Sequence, residues 1–245
     1  MRGSAHLAIG LITGLAVASL VNGIPFSPAG IALAGFSALA PDLAHPDSKL
    51  SHRLGFTHGY VRWAFGAAAL GLAAYAYWQL RPGPDQRLSY TAALAFGLLG
   101  VALQGGSARK LALLFTGLAT VLAGLYAQFL WLSLLGTFIC LAPFTGHRTW
   151  THTLWATALW TYIGYLADHT LGWRGIAQYA GAGYASHLLA DTLTKAGVQW
   201  LRPMGICFRI PLLSTGSKTG NVLEAAICFG YGLLVLGLAI GRIGF

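Results

Sequence analysis

The sequence predicts an all-α fold, a polytopic transmembrane helix bundle, and composition and hydrophobic pattern both support this. Hydrophobic residues make up 56% of the 245 residues and charged residues only 9%, and the mean hydropathy is +0.64. An average soluble domain has about 25% charged residues. Apolar runs recur along the whole chain, separated by short polar stretches, and predict about eight or nine membrane segments in one domain, residues 1–245.

Each apolar run is flanked by glycine, proline or charged residues. The first run resembles a secretory signal, but we interpret it as an uncleaved helix because many membrane segments follow it. Several runs are shorter than the ~20 residues that a crossing helix needs, so some are expected to be re-entrant or to thin the bilayer. The runs are 7–22, 29–40, 61–80, 88–104, 111–126, 128–144, 153–167, 175–200 and 222–241.

The distribution of histidines decides how residues 111–144 are divided. If every run crosses the membrane once, seven of the 8 histidines fall on one side, and only His169 lies opposite. This convergence requires that 111–144 be two crossings rather than one long helix. The same alternation of sides places eleven of the 15 lysines and arginines on the histidine side, so we expect that side to face the cytoplasm.

The net charge of +9 does not indicate a nucleic-acid partner. No basic run or interleaving of aromatic and basic residues is present, and basic loops in a membrane protein contact anionic lipid. Cys140, Cys207 and Cys228 form neither a disulfide framework nor a CxxC metal pair.

Polar residues recur at helical spacing in "SHLLADTLTK". His187, Asp191 and Lys195 are four residues apart, which places them on one face of the predicted helix. His187 and Asp191 could close on one cation, since zinc accepts imidazole nitrogen and carboxylate oxygen. A His–Asp hydrogen bond that bridges two helices would explain the same pair, and both interpretations stay open.

Two further segments carry metal-ligand types. "PDLAHPD" contains Asp42 and His45, and "GHRTWTH" contains His147, Arg148 and His152. The guanidinium of Arg148 suits a phosphate or carboxylate beside a metal, although snorkelling to lipid headgroups is the alternative.

These blocks occur in the order of a known family. "AHLAIG", "APDLAHPDSKLSHRL", "GHRTWTHTL", "GYASHLLADTLTKAGVQWLRP" and "FRIPLLSTGSKTGNVLE" cover under half of the chain. The chain resembles the YdjM-type family of LexA-regulated, inner-membrane-bound, predicted metal-dependent hydrolases. The resemblance implies a polar metal site in a helix bundle, with Glu224 at the acidic position that closes the last block. The residues that match its other polar positions are His6, Asp42, His45, His147, His152, His187 and Asp191.

Two departures from the family pattern bear on this expectation. Ala44 stands where the family has a second carboxylate, which weakens a fully occupied two-metal site. Residues 58–145 look like an insertion of four helices between blocks that are usually closer together.

The leading hypothesis is a membrane-embedded, metal-dependent hydrolase that acts on a lipid phosphoester, as a phospholipase does. One or two divalent ions, zinc by preference, would activate water. Asp42 or Glu224 could serve as general base, and Arg148 would neutralise phosphate with support from Lys195 or Lys218. The alternatives are a divalent-cation transporter or channel that uses the same His/Asp cluster, and a scaffold without catalytic activity.

Overall fold

The computed structural model describes residues 1–43, 67–75, 89–90, 92–93, 97, 106–144 and 148–243. Within these residues the regular secondary structure is helical, apart from two isolated β-bridges, so the all-α prediction is confirmed. The chain divides into two compact units. Unit 1 contains Met1–Leu43 and Gly146–Phe245, and unit 2 contains Ala44–Thr145. The single-domain organisation and the insertion at 58–145 stay predictions.

Seven α-helices of ten residues or more organise the described parts of the chain. They are α1 (Gly3–Leu20), α2 (Pro28–Ser37), α3 (Gly106–Ala127), α4 (Leu130–Leu141), α5 (Leu154–Leu171), α6 (Ile176–Thr192) and α7 (Lys218–Ile243). Among these described helices, α1, α7 and residues 110–127 of α3 are long and apolar enough to cross a membrane, while α2 and residues 130–144 are shorter apolar segments.

Side-chain caps fix the ends of the helices in unit 1. Ser27 accepts a hydrogen bond from the backbone nitrogen of Gly30 at the start of α2, and Thr153 accepts one from Ala156 at the start of α5. The Asp168 carboxylate accepts from the backbone nitrogens of Ile176 and Ala177, which begin α6. These oxygens satisfy N–H groups that have no partner within the helix.

Helix α6 forms the centre of unit 1 and packs against α1, α2 and α5. The contact with α2 is close because Gly183 lies directly against the backbone of Ala34, where a side chain would collide. Tyr179 and Tyr184 are fully buried on the same helix. This packing fixes the C-terminal end of α6 beside the end of α2.

In unit 2, α3 and α4 form an antiparallel pair joined through Gln128 and Phe129. Gly117 and Gly136 lie against the backbone of the partner helix, and Gly124 lies against Ser133. The predicted division of residues 111–144 into two helices is therefore confirmed.

The predicted end of α6 was wrong. The apolar run extends to residue 200, but the helix ends at Thr192, because the backbone that follows pairs with residues 208–213. Val198 and Phe208 exchange two backbone hydrogen bonds, and Leu193 accepts one from Leu213. Lys195 consequently lies in an exposed turn and does not continue the polar face of the helix.

Candidate metal centre

Five residues with metal-ligand side chains meet at one end of unit 1. They come from the first turns of α1, the short helix after α2, the short helix before α5, and the last turns of α6. All are buried except Asp42, which keeps 21% of its side chain exposed. The five are His6, Asp42, His152, His187 and Asp191.

The spacing of these side chains suits one or two small cations. His187 Nε2 lies 3.2 Å from His152 Nε2, 3.9 Å from Asp42 Oδ2 and 3.8 Å from Asp191 Oδ2. Two triplets, His6–Asp42–His187 and His152–His187–Asp191, each place their ligand atoms within 4.8 Å of one another. Tetrahedral zinc with ligand bonds of about 2.1 Å separates its ligand atoms by about 3.4 Å, which falls inside this range.

The tautomer of His187 follows from its hydrogen bond to the backbone. Its Nδ1 lies 2.8 Å from the carbonyl oxygen of Ala38, and since a carbonyl only accepts, Nδ1 must donate. Neutral His187 then carries a lone pair on Nε2, the atom that faces His152, Asp42 and Asp191. A backbone carbonyl that holds the second ring nitrogen is the usual support of a metal-ligating histidine.

His6 provides an independent test of whether a cation fits. Its ring is 1% exposed and stacks on His187 with centroids 3.8 Å apart. Nε2 lies 3.2 Å from Asp191 Oδ1, yet neither ring nitrogen forms a hydrogen bond of normal geometry with the described residues. Leaving a buried polar atom unsatisfied costs about 1–3 kcal/mol. A ligated cation would remove this cost, so the five side chains fit a divalent ion.

Arg148 lies beside the cluster and contacts Asp191. Its Nη2 is 2.9 Å from Asp191 Oδ2, and its Nη1 donates to the carbonyl oxygen of Gly197 at 3.0 Å and to Thr194 Oγ1 at 3.3 Å. The backbone nitrogen of Met1 donates to Asp191 Oδ1 at 2.7 Å. Arg148 therefore holds the carboxylate of Asp191 and joins it to the turn after α6.

Asp42 is the member of the cluster with access from outside. Its burial disfavours the charged carboxylate, but the hydrogen bond from His152 and the nearby imidazoles of His187 and His6 outweigh that effect. The pKa of Asp42 is thus held well below its ordinary value.

The remaining predicted site residues lie elsewhere. Glu224 is fully buried but pairs with Arg2, whose Nε lies 2.7 Å from Glu224 Oε2. Lys195 and Lys218 are exposed. Ala44, His45 and His147 fall outside the described residues, so their proposed roles stay predictions.

Three groups that support the histidines of the cluster were not predicted from the sequence. The carbonyl of Ala38 orients His187, Thr151 lies 3.1 Å from Nδ1 of His152, and the hydroxyl of Tyr184 donates to the carbonyl of Thr151. A backbone carbonyl carries no signal in a sequence. Thr151 precedes His152 in the sequence, and this is the one local feature that could have indicated that Thr151 supports the histidine.

Comparisons with known proteins identify the family of this chain. A family model described as YdjM inner membrane protein matches residues 1–243. Inner membrane protein YdjM of Escherichia coli (strain K12) and that of Shigella flexneri are each 42% identical over 86 residues, which is 34% of this chain and 42% of the relative. Uncharacterized protein YvsG of Bacillus subtilis (strain 168) is 34% identical over 87 residues, 35% of this chain and 49% of the relative. The matches thus span less than half of these relatives, and no solved structure matches.

Proposed function

This chain belongs to the YdjM inner membrane protein family, and we propose that it is a membrane-embedded, metal-dependent hydrolase of lipid phosphoesters. One observation carries the proposal. The Nε2 lone pair of His187 faces a second imidazole and two carboxylates inside a buried cluster, and that arrangement suits a bound cation.

His6, Asp42, His152, His187 and Asp191 are the residues that would hold the ion, and the mixture of imidazole and carboxylate favours zinc. A divalent ion in such a site polarises the scissile group and lowers the pKa of water. Two triplets share His187, so the cluster could hold one ion or a closely spaced pair.

Asp42 is the best candidate for general base. It is the most exposed of the five side chains, so a water molecule could reach it from outside. In the proposed hydrolysis the water oxygen bonds to phosphorus while the ester P–O bond breaks. Asp42 takes the proton of the water and returns it to the departing alcohol oxygen.

Arg148 acts as a positioning residue in this proposal. Its guanidinium contacts one oxygen of Asp191 and donates to the carbonyl of Gly197. These two contacts orient the Asp191 carboxylate toward the imidazoles.

A lipid substrate is supported by the location of the cluster. His6 lies in the first turns of α1, a helix apolar enough to cross a membrane, and the other four residues lie at ends of neighbouring helices. A site near helix ends is close to the depth of phosphate groups in a bilayer.

The experiment measures phosphoester hydrolysis by the purified protein. Mixed vesicles of phosphatidylethanolamine and phosphatidylglycerol serve as substrate, and released headgroups and lipids are quantified by mass spectrometry. We expect release that stops after treatment with a chelator and returns with added zinc or manganese. If protein that is shown to carry bound metal releases no headgroup or lipid, the hydrolase proposal is overturned. Metal uptake into proteoliposomes would then favour the transporter.

A further inference from the structure

Helices α1 and α7 run parallel and are joined by arginines at both ends. At the start, Arg2 donates to Glu224 Oε2 and to the carbonyl of Asn221. At the far end, Arg242 donates to the carbonyl oxygens of Ser19 and Leu20, the last residues of α1. A guanidinium at the C-terminal end of a helix also meets the negative end of the helix dipole.

An apolar groove of about 620 Å³ lies between these two helices, and one side of it is open. Ala8 and Ile12 form part of one wall, and Gly232 and Leu236 form part of the other. From Glu224 to Leu236 the wall on α7 is about 18 Å long at 1.5 Å per residue. One leaflet of a bilayer has a hydrocarbon depth of about 15 Å, so the groove has the length of a lipid tail in one leaflet.

The groove ends at a pair of charged residues, and one of their atoms needs a ligand. Glu224 Oε1 is buried and has no hydrogen-bond partner among the described residues, although Oε2 pairs with Arg2. Arg2 keeps 34% of its side chain exposed, so this side chain is partly accessible. A carboxylate oxygen only accepts, so what completes this site must supply an N–H or O–H group.

We propose that this groove binds one phospholipid whose headgroup carries a hydrogen-bond donor. The acyl chain lies between α1 and α7, the phosphate meets Arg2, and an ammonium or hydroxyl group donates to Glu224 Oε1. Ethanolamine and glycerol headgroups have such a donor, whereas choline has none. The site therefore selects phosphatidylethanolamine and phosphatidylglycerol over phosphatidylcholine.

The headgroup end of the groove adjoins the metal centre. Met1 and Arg2 are consecutive residues, and the first contacts Asp191 while the second contacts Glu224. A lipid seated in the groove would have its phosphate beside the cluster. That the bound lipid is also the substrate rests on the proposed function, whereas the binding itself does not.

The experiment uses phospholipids with a photoreactive acyl chain. Purified protein is reconstituted with the ethanolamine, glycerol or choline form, irradiated and mapped by mass spectrometry. We expect labelled peptides from both α1 and α7, with the ethanolamine and glycerol forms labelling about tenfold more than choline, the value of one charge-assisted hydrogen bond.

Two glycines of α7 provide the matched variants. Gly232 lines the groove, whereas Gly237 lies outside it and a side chain there would enter open space. Gly232→Trp should remove most labelling, and Gly237→Trp should retain it. Glu224→Met should keep the label but lose the preference over choline. Equal labelling of the two tryptophan variants, or equal labelling by all three headgroups, would overturn the lipid site.

The same photolabelling experiment distinguishes failure of the lipid site from failure of the proposed hydrolase function. Labelling needs no turnover and is repeated with His187→Ala protein. In the His187→Ala protein, selective labelling should persist without hydrolysis. Selective labelling of unaltered protein that carries bound metal and hydrolyses nothing would support the lipid site and reject the proposed function. Hydrolysis without selective labelling of the groove would support the proposed function and reject the lipid site.

Discussion

Two histidines show how surroundings decide the role of one residue type. His187 is fully buried, with Nδ1 bound to a carbonyl and Nε2 facing two carboxylates. His169 is exposed near the end of α5, where its ring lies against Tyr165. Imidazole chemistry is identical in both, so a difference in metal binding between them would come from the donors placed around Nε2.

Replacement of His187 by alanine should remove a metal ligand. We expect His187→Ala to weaken metal binding by at least about tenfold, the lower end of what supporting residues of metal sites contribute. His169→Ala is the matched control and should bind metal as the unaltered protein does. Metal per protein is measured by elemental analysis after dialysis against limiting zinc, and size-exclusion chromatography confirms that both variants are folded. Equal metal in the two variants would mean that His187 is not a metal ligand.

Arg148 permits a second test at a single residue. Arg148→Lys preserves the charge, and neither side chain is branched at Cβ, so the left-handed backbone (φ 56°) suits both equally. An ammonium cannot reach Asp191 and Gly197 together. We expect metal content to be kept and hydrolysis to fall about 10- to 100-fold, the effect of residues that orient the ligands of a metal site.

Arg174→Lys, at the opposite end of unit 1, is the control for Arg148→Lys and should retain hydrolysis. The ratio kcat/KM of both variants is measured with the same vesicles. Full activity of Arg148→Lys would show that the guanidinium only anchors the loop.

At the scale of elements, local pattern predicted which segments are helices better than where they end. Histidine clustering correctly divided residues 111–144 into α3 and α4. The apolar run through residue 200 could not reveal that α6 ends at Thr192, because the reason is pairing with residues 208–213. Side-chain periodicity does not record long-range backbone hydrogen bonds.

The same distinction applies to the site. His187 and Asp191 were predictable because one helix carries both at a spacing of four. His6 was found through family resemblance, since a lone histidine at the start of an apolar helix has no local signal. The pairing of Glu224 with Arg2 joins residues 222 positions apart, and nothing in either segment predicts it.

Close packing of α2 on α6 sets the position of Asp42 relative to His187. In Gly183→Ala the new methyl group would collide with the backbone of Ala34, which cannot move aside as a side chain could. We expect a loss of stability of about 1–3 kcal/mol from overpacking and a loss of bound metal. Thermal unfolding in detergent and metal analysis measure the two effects.

Gly230→Ala is the control for this substitution, since a side chain there enters open space on the membrane helix α7. It should leave both quantities unchanged. If Gly183→Ala also binds metal normally and unfolds at the original temperature, the α2–α6 contact does not position the centre.

For the whole molecule, the charges of unit 1 are asymmetric between its two ends. The metal centre shares its end with most of the basic residues that the structure describes in this unit. That end carries Arg2, Arg148, Lys195, Arg202, Arg209 and Lys218, and the other carries Arg174 and Arg242. Short loops rich in lysine and arginine remain in the cytoplasm during insertion, so we predict that the centre and the headgroup end of the groove face the cytoplasm.

A native cysteine can test this orientation. Cys207 is exposed in the connection between α6 and α7, at the end with the metal centre, while Cys140 is buried and Cys228 is partly buried. With Cys140 and Cys228 replaced by alanine, a membrane-impermeant maleimide should label Cys207 only after the inner membrane is opened. Arg174→Cys in a protein that also carries Cys207→Ser should be labelled in intact spheroplasts, because it lies at the opposite end. Removing Arg174 leaves the charge asymmetry in the same direction, so this variant should insert normally. Labelling of Cys207 in intact spheroplasts would place the centre on the periplasmic side, and its substrate would then have to come from the outer leaflet of the inner membrane.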